Sequence, residues 1–162
     1  MIGLNLCPFA ENAYRGNRVR FRVSEQRSAS GLLQEIRCEM TELQTADPVR
    51  CETTLLIHPW VLTDFIQYND FLEVCEAALV DLDLVGELQV ASFHPHYQFA
   101  GTQPSDIENY TNRSPYPMLH LLRESSVERA IAALPNPDEI YLRNIRTLRE
   151  LGHPGWQRLW RD

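Results

Sequence analysis

Thr53-Thr54-Leu55-Leu56-Ile57-His58-Pro59 and Leu88-Gln89-Val90-Ala91-Ser92-Phe93-His94-Pro95 are two short apolar runs that finish on the same dipeptide. Their β-branched and aromatic content favours strands, and Leu55-Leu56-Ile57 suggests burial on both faces. Between them Leu62, Phe65, Ile66, Leu72, Cys75, Leu79 and Leu82 fall on one helical stripe, with Asp64, Asp70, Glu73 and Glu76 outward. Strand, helix and strand in this order predict a β-α-β unit with parallel strands. Ligands of open α/β sheets bind at the carboxyl edge, where His58, His94 and His96 are then expected to meet.

Outward from this unit the periodicity stays legible. Arg20-Phe21-Arg22-Val23-Ser24 alternates polar and apolar, as a half-buried strand does. Ser30 is placed to cap a helix carrying Leu32, Leu33, Ile36, Met40 and Leu43, which Asp47-Pro48 stops. Pro59 suits the first position of the next helix and makes His58 its N-cap, where the macrodipole disfavours imidazolium. Asn69 falls on the apolar stripe and reads as a buried amide.

After His96 about twenty residues show no period, a length that in a compact domain often marks function. Ser114, Pro115 and Pro117 then read as the opening of a helix with Met118, Leu119 and Leu122, and with His120 on the surface of its first turn. Ser125-Ser126-Val127-Glu128 fits a capping box, and Asn136-Pro137-Asp138-Glu139 a further helix start. That last helix carries Ile140, Ile145 and Leu148, with Gly152 and Pro154 at its end and His153 as a cap. Trp156, Leu159 and Trp160 form an apolar tail suited to closing the core or meeting a partner. A fourth strand is expected in the first twenty residues. The fold class predicted is α/β: one domain over residues 1–162, with a small mixed or parallel sheet of three to four strands. Its helices pack mainly on one face, as a two-layer sandwich.

Composition narrows the function. The 162-residue chain has a net charge of −7, and all fifteen basic residues are arginine. Without lysine there is no Schiff-base chemistry and no Walker-type phosphate loop. The seven glycines are scattered singly, so no dinucleotide fingerprint appears. Arg15, Arg18, Arg20, Arg22 and Arg27 crowd one region, while no arginine stands between Cys51 and Asn112. This acidic balance speaks against a nucleic-acid partner. No apolar run approaches a membrane span and no leader is evident, so a cytoplasmic location is the expectation. Cys7, Cys38, Cys51 and Cys75 form no C-x-x-C pair and read as free thiols, Cys38 and Cys75 buried in helices.

Several of these stretches resemble a bacterial family, domain of unknown function 1415. They are Ile-Gly-Leu-Asn-Leu-Cys-Pro-Phe-Ala from Ile2, the run from Thr53 to Pro59, Tyr-Asn-Asp-Phe from Tyr68, and Gln-Val-Ala-Ser-Phe-His-Pro-His-Tyr-Gln-Phe-Ala-Gly from Gln89. Glu-Asn-Tyr-Thr-Asn-Arg-Ser-Pro-Tyr-Pro-Met-Leu-His-Leu-Leu-Arg-Glu from Glu108 and Leu-Gly-His-Pro-Gly-Trp from Leu151 complete the set. The resemblance implies that His94, His96, Asn112 and Arg113 belong to a family pattern. It also implies a further helical turn or two before Ile2. It supplies no reaction.

Three chemistries are open for the histidines. His94 and His96, two apart on an extended chain, point the same way and with His58 could ligate a divalent metal ion, helped by Cys7, Asp106 or Glu108. They could instead cap strand ends through backbone hydrogen bonds, or work without metal as acid and base. Thr111-Asn112-Arg113-Ser114 before a helix start would cradle a carboxylate or phosphate; alternatively Arg113 pairs with a nearby acid and pins the loop. Cys7 is a candidate nucleophile if an imidazole lies beside it, and otherwise a buried thiol. Two functions compete. One is an enzyme acting on a small anionic substrate, with His94, His96, Asn112 and Arg113 as its working residues. The other is a non-catalytic binding or assembly module using the 97–117 loop and the Trp tail, with a homodimer as one outcome.

Overall fold

The computed structural model describes residues 3–4, 6–132 and 139–159. The start signal at Asn136-Pro137-Asp138 and the tail residue Trp160 lie outside the described residues. Four strands, β1 (Val19–Val23), β2 (Thr53–Ile57), β3 (Leu88–Phe93) and β4 (Met118–Arg123), form one sheet in the order β1-β2-β4-β3. β1 and β2 are parallel, whereas β4 is antiparallel to both its neighbours. The predicted α/β class and the small mixed sheet therefore hold. The fourth strand, however, is not in the first twenty residues.

It is the segment read as a helix. Met118, Leu119, Leu122 and Arg123 are good helix formers, but 118–123 fills the gap between β2 and β3. There Leu119 and Leu121 are wholly buried on one face, while Met118, His120 and Leu122 take the other. Pairing on both sides overrides a propensity worth a fraction of a kcal/mol per residue. His120 accordingly lies within the sheet and not on a helix surface.

Helices α2 (Ala29–Thr45) and α3 (Phe65–Asp81) cover one face of the sheet. Leu32, Ile36, Met40 and Leu43 from α2 meet Phe71, Cys75 and Leu79 from α3 over Leu56, Leu88, Leu119 and Leu121. Both helices are capped by residues other than the predicted ones. Ser28, not Ser30, accepts from Gly31 N at 3.1 Å, and Asp64, not His58, accepts from Gln67 N at 3.0 Å. Pro59 and Trp60 instead form a turn before α3. Cys75 is buried as expected; Cys38 is exposed, and so is Asn69, which makes no core amide.

The second face is covered incompletely. The short α1 (Pro8–Arg15) and the long α5 (Ile140–Arg158) reach across it, and Leu6, Leu148 and Trp156 make a second small core there. Glu124–Ala132 forms α4 directly after β4. Gly152 bends α5 with φ 61°, a left-handed conformation that suits glycine, and the chain turns helical again beyond it. His153 is exposed and edge-on to Tyr110. Among the described residues no helix is long and apolar enough to cross a membrane.

Candidate functional site

The strands ending at His58 and His94 point the same way, but β4 stands between them, so they are not neighbours. Both imidazoles are fully buried. His58 donates from Nδ1 to the Val61 carbonyl at 3.0 Å, and burial pulls its pKa below the usual histidine value. It is neutral as expected, through desolvation and not through a helix dipole. His94 accepts at Nδ1 from the His96 amide at 3.0 Å, and burial lowers its pKa too. Tyr68 lies between the two rings, 5.8 Å from His58 and 5.0 Å from His94. Its hydroxyl donates to the Met118 carbonyl at 2.8 Å and accepts from the Phe93 amide at 3.0 Å.

This cluster closes the core where the strands end. His96 is exposed beside it. Among the described residues no three histidine, cysteine or carboxylate groups gather so as to hold a metal ion. His58, His94 and His96 are thus not brought together as a ligand set, and the backbone-capping alternative describes His58 and His94.

The loop after His96 is tied down by its own polar groups. Asn112 donates to the Ser92 carbonyl at 3.0 Å, and its carbonyl accepts from the His94 amide at 3.1 Å. Buried Asn109, unnoticed in the sequence, accepts from Phe99 N and Thr102 Oγ1 and donates to the Gln103 carbonyl. Arg113 is not at a helix start, since β4 follows it. Its guanidinium bonds the Tyr97 and Pro104 carbonyls at 3.2 and 2.6 Å and lies 4.2 Å over the Tyr110 ring. The nearby acids are engaged elsewhere: Glu108 pairs with Arg149, and Asp106 accepts from the Gln103 amide. Among the described residues Arg113 has no carboxylate partner.

Arg113 also reaches a cavity of about 310 Å³ on the second face of the sheet. Val19, Phe21, Leu55, Met118 and Leu122 form its apolar floor, and α1 and Trp156 help to enclose it. A few polar groups enter this wall: Cys7, Glu52, Thr53, Ser114 and His120 join Arg113. Glu52 is neutralised by Arg18 at 3.1 Å and Arg129 at 3.5 Å. The Ser114 hydroxyl is spent on the Tyr116 carbonyl at 2.6 Å. Cys7 is the N-cap residue of α1 and lines the same cavity as His120 on β4, whereas the strand-end histidines do not line it.

His120 is the least expected member. Its Nε2 lies 2.6 Å from Thr53 Oγ1, and that hydroxyl donates to the Leu121 carbonyl at 2.6 Å. The hydroxyl proton being committed, Nε2 must donate and Nδ1 carries the lone pair. Burial pushes the His120 pKa down to about 4, so the ring is neutral at pH 7. One sequence signal pointed here: Met118-x-His120-x-Leu122 has the period of a strand and sets a polar ring on an apolar face.

No curated protein and no solved structure matches this chain. A family profile does, and it covers residues 1–158. With nearly its whole length matched, the chain belongs to the family described as "Protein of unknown function (DUF1415)".

Proposed function

We propose that this domain binds a small, largely apolar molecule bearing one anionic group and one hydrogen-bond donor, in the cavity on the second face of the sheet. The observation that carries this reading is Arg113, a cation at an apolar cavity with no carboxylate partner among the described residues. A ligand carboxylate would neutralise it, and the guanidinium fork matches that group. The lone pair at His120 Nδ1 then selects a ligand hydroxyl or N–H. Ligand pockets span about 300–1,000 Å³, so 310 Å³ suits a small molecule.

The arrangement supports binding ahead of acid–base catalysis. An imidazole titrating at about 4 is a weak base at neutral pH, whereas general bases work best with a pKa near the operating pH. The reading keeps the expected small anion and moves its site from the strand edge to the sheet face.

Calorimetric titration of the protein with 4-hydroxybenzoate, benzoate and 4-hydroxybenzamide tests it. The hydroxy acid should bind tightest, benzoate more weakly through loss of the donor, and the amide weakest. Arg113→Met should erase the preference for acids. Equal binding of acid and amide, or no binding by any of the three, would overturn the proposal.

A further inference from the structure

We infer that two copies of this chain associate edge to edge through β1, in antiparallel orientation about a two-fold axis at Phe21. β1 is the outer strand beside β2, and among the described residues no strand lies on its other side. Its residues face alternately. The Arg18 carbonyl accepts from the Glu52 amide and the Ser24 amide donates to the Ile57 carbonyl, so even-numbered positions bond to β2. The intervening Val19, Phe21 and Val23 therefore turn their amides and carbonyls to the open edge.

The sequence of that edge reads the same in both directions, Val19-Arg20-Phe21-Arg22-Val23. Antiparallel self-pairing centred on Phe21 sets it against the partner's Phe21, and Val19 against the partner's Val23. Every outward-facing residue then meets an outward-facing residue, and each pair exchanges both main-chain bonds. A register shifted by two residues leaves an end residue unpaired, and a shift by one sets bonding positions against non-bonding ones. The side chains agree with this choice. Phe21 and Val23 are 58% and 57% exposed, an apolar stripe that a free edge strand ordinarily avoids.

Charge does not oppose the contact. Pairing brings Arg20 opposite the partner's Arg22, but each is already neutralised by α2 of its own copy. Arg20 bonds Glu39 at 3.2 Å and also Glu42, and Arg22 bonds Glu35 at 3.1 Å. Three carboxylates thus stand behind two guanidinium groups, and the like charges meet as ion pairs. The second copy also bears on the cavity, because Val19 and Phe21 line it and the partner's Phe21 would cover its flank. A five-residue strand and one apolar stripe make a small interface, so the dimer should be weak and concentration-dependent.

Sedimentation equilibrium of the untagged protein over an about 100-fold concentration range provides the test. The mass should rise from monomer towards dimer. Val23→Pro removes an edge amide that β2 does not use, at a residue outside the cavity wall, and should hold the chain monomeric at every concentration. Val23→Lys alters only the apolar stripe, so it decides the matter should the proline variant fail to fold; it too should weaken the dimer at least tenfold. A wild-type monomer throughout, or a dimer that survives the Val23→Lys change, would refute the inference. Ligand titration of the Val23→Lys monomer reports separately on the cavity, since binding retained there leaves the binding proposal standing whatever becomes of the dimer.

Discussion

Thr53 Oγ1 sits 2.6 Å from His120 Nε2 and 2.6 Å from the Leu121 carbonyl, so one β2 hydroxyl fixes the tautomer of a β4 imidazole. Thr53 is buried. Thr53→Val keeps the shape and removes the oxygen. The His120 N–H and a main-chain carbonyl then lose a partner, which should cost about 1–3 kcal/mol in urea unfolding. Ligand affinity should fall with it, because the imidazole is free to turn.

Stability should depend on pH through the buried histidines. An unfolded histidine titrates near 6.5, and His58, His94 and His120 are all held lower when folded. The unfolded chain therefore binds more protons below that value. The stabilising effect is complete above about pH 6.5 and is lost as pH falls towards the folded values, about 4 for His120. His120 alone should account for up to about 3 kcal/mol of this loss. His120→Gln, which keeps an N–H for Thr53 but cannot titrate, should make the fall in unfolding free energy between pH 6.5 and 4 less steep, with the part due to His58 and His94 remaining.

Tyr68 clasps β3 to β4 by one hydroxyl, accepting from Phe93 N and donating to the Met118 carbonyl. Tyr68→Phe removes a shared partner from two half-buried main-chain groups beside a wholly buried ring and should destabilise by about 1–3 kcal/mol. Hydrogen exchange at the Phe93 amide should quicken while exchange at Leu121 stays slow. Equal acceleration at the two would show that the strands separate as one unit.

Arg113 spans the 97–112 loop through the Tyr97 and Pro104 carbonyls and the Tyr110 ring. A lysine has no planar fork to reach two carbonyls and lie flat on a ring. Arg113→Lys should therefore raise the rate of limited proteolysis within this loop several-fold, with a smaller loss in global stability. Restoration of the wild-type rate by lysine would mean that charge alone pins the loop.

Much of the architecture could be read from residue order. The apolar runs at 53–57 and 88–93, the polar–apolar alternation at 20–24 and the helical stripes of α2 and α3 each carry their own period, and each forms the predicted kind of element, although Phe21 and Val23 of the alternation and Ile66 of the α3 stripe are exposed. Segment 118–123 does not, because its leucines and methionine suit either conformation and only the empty place between β2 and β3 decides. The candidate site moved for the same reason. His58 and His94 were conspicuous as strand endings, yet they face the core. His120 was inconspicuous because its strand was read as a helix.

The sequence by itself determined the class of fold, the acidic balance, the absence of lysine chemistry and membership of the family. Those follow from composition and from periods of a few residues, which local backbone geometry imposes wherever the chain goes. The tertiary structure alone decided that Thr53 meets His120, that Arg113 reaches an apolar cavity, and that the odd-numbered edge of β1 is left open. Each of these joins positions far apart in the chain, and the pairing of strands, which no single segment encodes, brings them together.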